Sequence, residues 1–222
     1  VSWMGIIQTF GSDNHARFRY TDDMNQQAMQ RDAILNSLQA LAPDMPPDVV
    51  RDFVSRMDEE YFQRFQPADI IRHLQLIERL TPDHPCDVSI TAHEDGFLLA
   101  IVAYDYFSEF AAIAGLLSSY RLDIREGALY TYTDSPNPIT PRPPTHWKHP
   151  HGRPGLTRKK IVDVFRVRPL PGSTFGPAEQ RTLSNELEQV VRLLDTQQYA
   201  DARRFVNRRL VDAIRDLDGV TV

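Results

Sequence analysis

At Cys86 the spacing of apolar residues changes, and that change limits the chain to a fold in which helices come first and a sheet follows. Before it, "TDDMNQQAMQRDAILNSLQAL" opens on capping-type residues and places Ala28, Leu35, Leu38 and Leu41 near helical spacing, until Pro43 stops the pattern. A second helix starts at "PPDVV" and carries Val50, Phe53, Val54, Met57, Tyr61 and Phe65. A third follows Pro67, with Ile70, Ile71, Leu74 and Ile77 on one face. Short links between three such helices predict a helical unit over residues 21–85. Residues 1–20 alternate weakly and end in Phe18, Arg19 and Tyr20, which reads as an arm or a strand.

From Cys86 onward the pattern is that of strands. "DVSIT" leads to a turn at Glu94, Asp95 and Gly96, and the short, partly β-branched run "FLLAIVAY" follows as a buried strand. A helix from about Ser108 to Tyr120 comes next, then the strands "LDIREGALYTYT" and "KKIVDVFRVRP". In the last of these, Ile161, Asp163, Phe165 and Val167 share one face, and Val162, Val164 and Arg166 share the other. "GPAEQRTLSNELEQVVRLLDTQ" forms a helix with Leu183, Leu187, Val190, Val191 and Leu194 inward, and residues 199–222 give a C-terminal helix. The class is therefore α+β, with a ferredoxin-like βαββα order over residues 86–198. The last strand of such a unit has no counterpart unless "VTV" at the end begins one.

Residues 134–158 interrupt this domain. The stretch "TDSPNPITPRPPTHWKHPHGRPGLTRKK" holds seven of the sixteen prolines, which bars it from a helix or a sheet interior and makes it a long loop. With 222 residues the chain can bury a proper core without staples, and its single cysteine forms no internal disulfide, so a reducing cytoplasm is expected. No apolar run reaches the roughly 18 residues of a membrane span, and the start lacks a basic leader, so neither export nor anchoring is expected. A formal charge of -5 argues against broad nucleic-acid binding.

The stretch "IVAYDYFSEFAAIAGLLSSYRLDIREGALYTYTD", followed by "RKKIVDVFRV", resembles an ACT domain, in the variety found in bacterial nitrogen-signalling nucleotidyltransferases: the PII uridylyltransferase and the glutamine synthetase adenylyltransferase. The shared features are Asp105 closing a strand, the stretch "FAAIAGLL", the "LDI" start of the next strand, "ALYTYTD" and "VDVFRV". Upstream, "MDEEYFQRFQPADIIRHLQLIERL" resembles the helical link before the first ACT domain of those enzymes. The resemblance implies a regulatory module that senses an amino acid, glutamine foremost, with ligand contacts at Asp105, Phe107, Ser108, Glu109, Phe110, Asp123 and Ile124. The physical basis is the strand-to-helix corner, where backbone N–H groups and a helix N-terminus face an anionic group. Ser108 stands where the family usually has glycine, Glu109 where it has an apolar residue, and Arg121 where a helix-ending glycine is usual. Ser108 and Glu109 favour a competing reading, a non-sensing module for interaction or dimerisation through the ACT-like sheet.

No glycine-serine followed by an Asp-x-Asp pair, no phosphate-cradling glycine loop and no nucleophile elbow is present, so the resemblance implies a regulatory part without the catalytic one. It would act on a catalytic region or partner protein of that system, as a homo-oligomer through the sheet, with no cofactor, no metal, no nucleic acid and no membrane. His146, His149 and His151 are spaced as metal ligands could be, yet no carboxylate or thiol accompanies them, and a solvated loop is the expected role. The six Lys and Arg from Arg142 to Lys160, with no acid among them, form a local basic patch. His73, His93, the "PDHP" segment and the Asp58–Glu60 cluster read as structural or solvated.

Overall fold

The computed structural model describes residues 13–105, 109–133 and 159–218. In chain order it holds helices α1 (Asp13–Leu41), α2 (Pro47–Arg56), α3 (Glu59–Arg64) and α4 (Pro67–Arg79), strands β1 (Cys86–His93) and β2 (Gly96–Tyr104), helix α5 (Glu109–Ser119), strands β3 (Leu122–Thr131) and β4 (Lys160–Pro169), and helices α6 (Pro177–Asp195) and α7 (Tyr199–Asp218). The class is α+β: helices and one four-stranded sheet whose paired strands are all antiparallel. Among the described residues no helix is long and apolar enough to cross a membrane.

The chain divides into two compact units that part between Ser55 and Arg56. In the first, α1 buries Ala28, Leu35 and Leu38, and α2 buries Val50, Phe53 and Val54. The Arg31 guanidinium donates to the Val54 carbonyl, satisfying a buried cation. Helix α1 begins at Asp13, so residues 13–20, expected as an arm or strand, are helical.

The second unit carries the sheet, and α3 and α4, which the sequence grouped with α1 and α2, pack here instead. The helix expected to run from "PPDVV" through Phe65 is broken at Met57 and Asp58. Asp58 takes the extended conformation of an N-cap, and Glu59 and Glu60 occupy the next first turn, where acidic side chains suit the helix dipole.

Strand order is β1-β2-β4-β3. β1 and β2 form a hairpin with a two-residue turn, His93 opposite Gly96. Glu94 has φ 45°, the left-handed value that such tight turns require. β1 lies on the edge of β2 that β4 leaves free. "VTV" lies outside the described residues.

Helices pack on both faces of this sheet. Odd-numbered residues of β2 and β4, including Leu99, Ile101, Ala103, Ile161, Phe165 and Val167, join Ile113, Leu116, Leu117, Leu183, Leu187 and Val190 from α5 and α6 in one core cluster. α7 lies against α5, and Ala202 and Val206 belong to the same core. On the opposite face, Tyr61 and Phe65 of α3 and its C-terminal end meet Tyr130 of β3, with ring centroids 5.1 and 5.9 Å away. Gly96 is required by the sheet itself, because a Cβ there would come within 2.1 Å of the Val167 carbonyl oxygen.

Candidate functional site

The strand-to-helix corner and its surroundings were the expected ligand site. Phe107 and Ser108 lie outside the described residues, and Glu109 is the first residue of α5. Asp105 is exposed just past the end of β2, its N–H donating to the Lys159 carbonyl at 2.9 Å. Phe110 sits at the start of α5, 52% exposed, with its ring 6.2 Å from that of Phe165. Asp105 thus follows the Tyr104–Lys160 pair at one end of the sheet, whereas the Phe110 ring reaches Phe165, which is level with Leu99 in the middle of β2.

Asp123 and Ile124 do not join them. Ile124 is level with Val167, which is level with Phe97 at the start of β2, whereas Asp105 follows the end of that strand. Eight residues of strand separate the two levels, about 26 Å at about 3.3 Å per residue. Asp123 forms an ion pair with Arg125 at 3.1 Å, and Ile124 packs against the core. Within one chain, no single small ligand touches both groups.

Between the two ends the structure presents a residue that sequence reasoning passed over as part of an alternating face. Asp163 lies in the middle of β4, opposite Ile101 on one side and Leu129 on the other. Cross-strand partners point to the same face, so Asp163 faces the α5–α6 side, where Ile161 and Phe165 enter the core. It is only 5% exposed. Burial, and secondarily the charge of Asp105, push its carboxyl up to about 7. Leu129, its neighbour on the edge strand β3, is 50% exposed. The helical cover therefore thins beside Asp163, over Leu129 and Phe110. The clue in the sequence was an acid standing among Ile161, Phe165 and Val167.

Other expected positions resolve as structural. His73 is buried on α4 and linked to the Tyr61 hydroxyl through Nδ1 at 2.6 Å. Burial pushes its pKa down to about 4 and that of Tyr61 upward, so the pair is neutral. His84, in the "PDHP" turn, bonds Glu188 at 2.9 Å. The Glu188 carboxyl is held below its usual range, its bonds to Arg192 and His84 outweighing the larger opposing effect of burial. A cleft of about 500 Å³ near this turn is lined by Pro82, Arg192 and Thr196, and it contains neither Asp105 nor Asp163. Among the described residues no group of three or more His, Cys, Asp or Glu could hold a metal ion. His146, His149 and His151 lie outside the described residues.

No protein-family model matches this chain, and no curated protein matches it.

Proposed function

We propose that this chain is the regulatory, ACT-like part of a cytoplasmic nitrogen-signalling nucleotidyltransferase, that it answers to an amino acid, glutamine foremost, and that the catalytic region lies elsewhere. The observation that carries the reading is the connectivity β2-α5-β3-β4-α6 in a sheet of order β1-β2-β4-β3, with α5 and α6 on one face. It suits a ferredoxin-like βαββα path, with β1 standing in for the final strand. Its first strand-to-helix corner, β2 to α5, has Asp105 directly after the last strand residue, Tyr104, where the resemblance has its aspartate. In this mechanism the ligand favours one of two arrangements of the module, and the catalytic region responds to the shift. A thermal-shift titration tests it: L-glutamine at a hundred times its dissociation constant adds about 2.7 kcal/mol of stability. No shift with any common amino acid at millimolar concentration overturns the sensing role.

A second reading, an interaction module without a ligand, is favoured by a separate observation. Strand β3 is an edge of the sheet and exposes Leu129, and Phe110 is exposed on the same face. An open, partly apolar edge suits pairing with a second copy or a catalytic region. Sedimentation of the chain across micromolar concentrations separates the readings: concentration-dependent dimers without amino-acid response support the second.

A further inference from the structure

We propose that Asp163 is the anchor for the ammonium group of the amino-acid ligand, bound beside the β3 edge against the side chains of Phe110 and Leu129. This rests on the sensing reading and adds to it the residue that recognises the amine.

A carboxylate with its face toward a hydrophobic core is expensive unless paired or hydrogen-bonded. Asp163 is 95% buried by its exposure of 5%, and no hydrogen bond or ion pair to its carboxyl is found among the described residues; its oxygens keep slight solvent contact, since the fully sealed, unpartnered polar side-chain atom among those residues is Arg166 Nε. The charge that acts on it is that of Asp105, of the same sign. An asparagine or a valine would fill this position in β4 more cheaply, so packing does not account for the acid. A bound cation does.

The surroundings select the kind of cation. Asp163 borders an uncovered apolar strip, with Leu129 beside it on β3, Gly127 opposite Phe165, and Phe110 of α5 above the Phe165 ring. Gly127 carries no side chain to close the strip. A bare metal ion needs several oxygen ligands, and no such group is present among the described residues. An ammonium on a small, partly apolar molecule needs one carboxylate and a hydrophobic wall, and both are here. Asp105 adds negative potential from the end of β2. When the ammonium binds, Asp163 ionises and its proton leaves to solvent, so charge balances.

The experiment is calorimetric titration of the full chain with L-glutamine and with glutaramate, the same molecule without its amine. The wild-type protein is expected to bind glutamine on the order of thirtyfold more tightly than glutaramate, the worth of a charge-assisted hydrogen bond. Asp163→Asn is expected to lose that discrimination and to bind both like glutaramate. Below the carboxyl midpoint of about 7, glutamine binding to the wild type releases about one proton, seen as a heat that depends on the buffer, and binding to Asp163→Asn releases none. Glutamine binding of equal strength in wild type and Asp163→Asn overturns this inference and leaves sensing intact. Equal affinity of the wild type for glutamine and glutaramate overturns it without needing a variant. No glutamine binding by the wild type overturns both.

Discussion

Asp163 and His73 are both buried, and they move stability with pH in opposite directions. His73 has its pKa pushed down to about 4, so the unfolded chain takes up a proton that the folded chain refuses as pH falls below the ordinary value of 6.5. Its contribution is fully present above that value and is lost as pH falls toward 4, at most about 3 kcal/mol. For Asp163 the folded pKa is raised to about 7 from 3.8, so its contribution is fully present below 3.8 and lost as pH rises through 7, at most about 4 kcal/mol. Between these limits the two nearly cancel. Asp163→Asn uncovers the His73 slope: urea unfolding of that variant should show stability about 2–4 kcal/mol above wild type at alkaline pH and near equality in acid. Equal stability in alkali would contradict an uncompensated acid in the core. Arg121 is a second local case. It ends α5 with φ 56°, a left-handed value that disfavours any residue with a Cβ, and its N–H donates to the Ser118 carbonyl at 3.0 Å. Arg121→Gly relieves that strain and should raise the urea midpoint, by up to about 1 kcal/mol in stability.

Elements were legible where periodicity alone decides them. The alternation in "KKIVDVFRV" separated the two faces of β4 correctly, because a strand buried on both sides still assigns odd and even residues to different layers. The hairpin of β1 and β2 was likewise visible in its Glu94-Asp95-Gly96 turn. What the sequence could not reveal was where β1 would sit in the sheet, since that depends on its pairing with β2 on the far side from β4. The break between α2 and α3 was missed because Val50, Phe53, Val54, Met57, Tyr61 and Phe65 keep helical spacing across it, while the Asp58 capping signal is short. Tyr61 and His73 were each assigned to a helix, but their bond joins α3 to α4 and needs the tertiary structure. Helix packing also rests on Gly115, where a Cβ would come within 2.5 Å of Val206 Cγ1 on α7. Gly115→Ala gains helix propensity yet forces α5 and α7 apart; chemical denaturation should report a net loss of about 1–3 kcal/mol. A pairing with Val206→Ala should recover part of it, as residues in contact couple.

At the scale of the whole molecule, the unit beginning at Arg56 has its own sheet, its own helices on both faces and its own core. A chain of residues 56–222 should therefore unfold in one cooperative transition with far-ultraviolet dichroism of mixed helix and strand; a gradual, non-cooperative melt would contradict that independence. The candidate site was half legible. Asp105 and Phe110 flank the corner, but Asp123 and Ile124 are at the other end of the strands from Asp105, a separation that antiparallel register imposes and that adjacency in a motif conceals. Asp163 was in plain sight on an apolar face and gained its meaning only from its burial and from the exposed Leu129 beside it. The most direct measurement is carbon NMR titration of the Asp163 carboxyl in the full chain, with and without L-glutamine. A midpoint near 7 is expected for the free protein, falling into the ordinary carboxylate range at saturating glutamine. An ordinary midpoint in the free protein, or one that glutamine leaves unmoved, would contradict it.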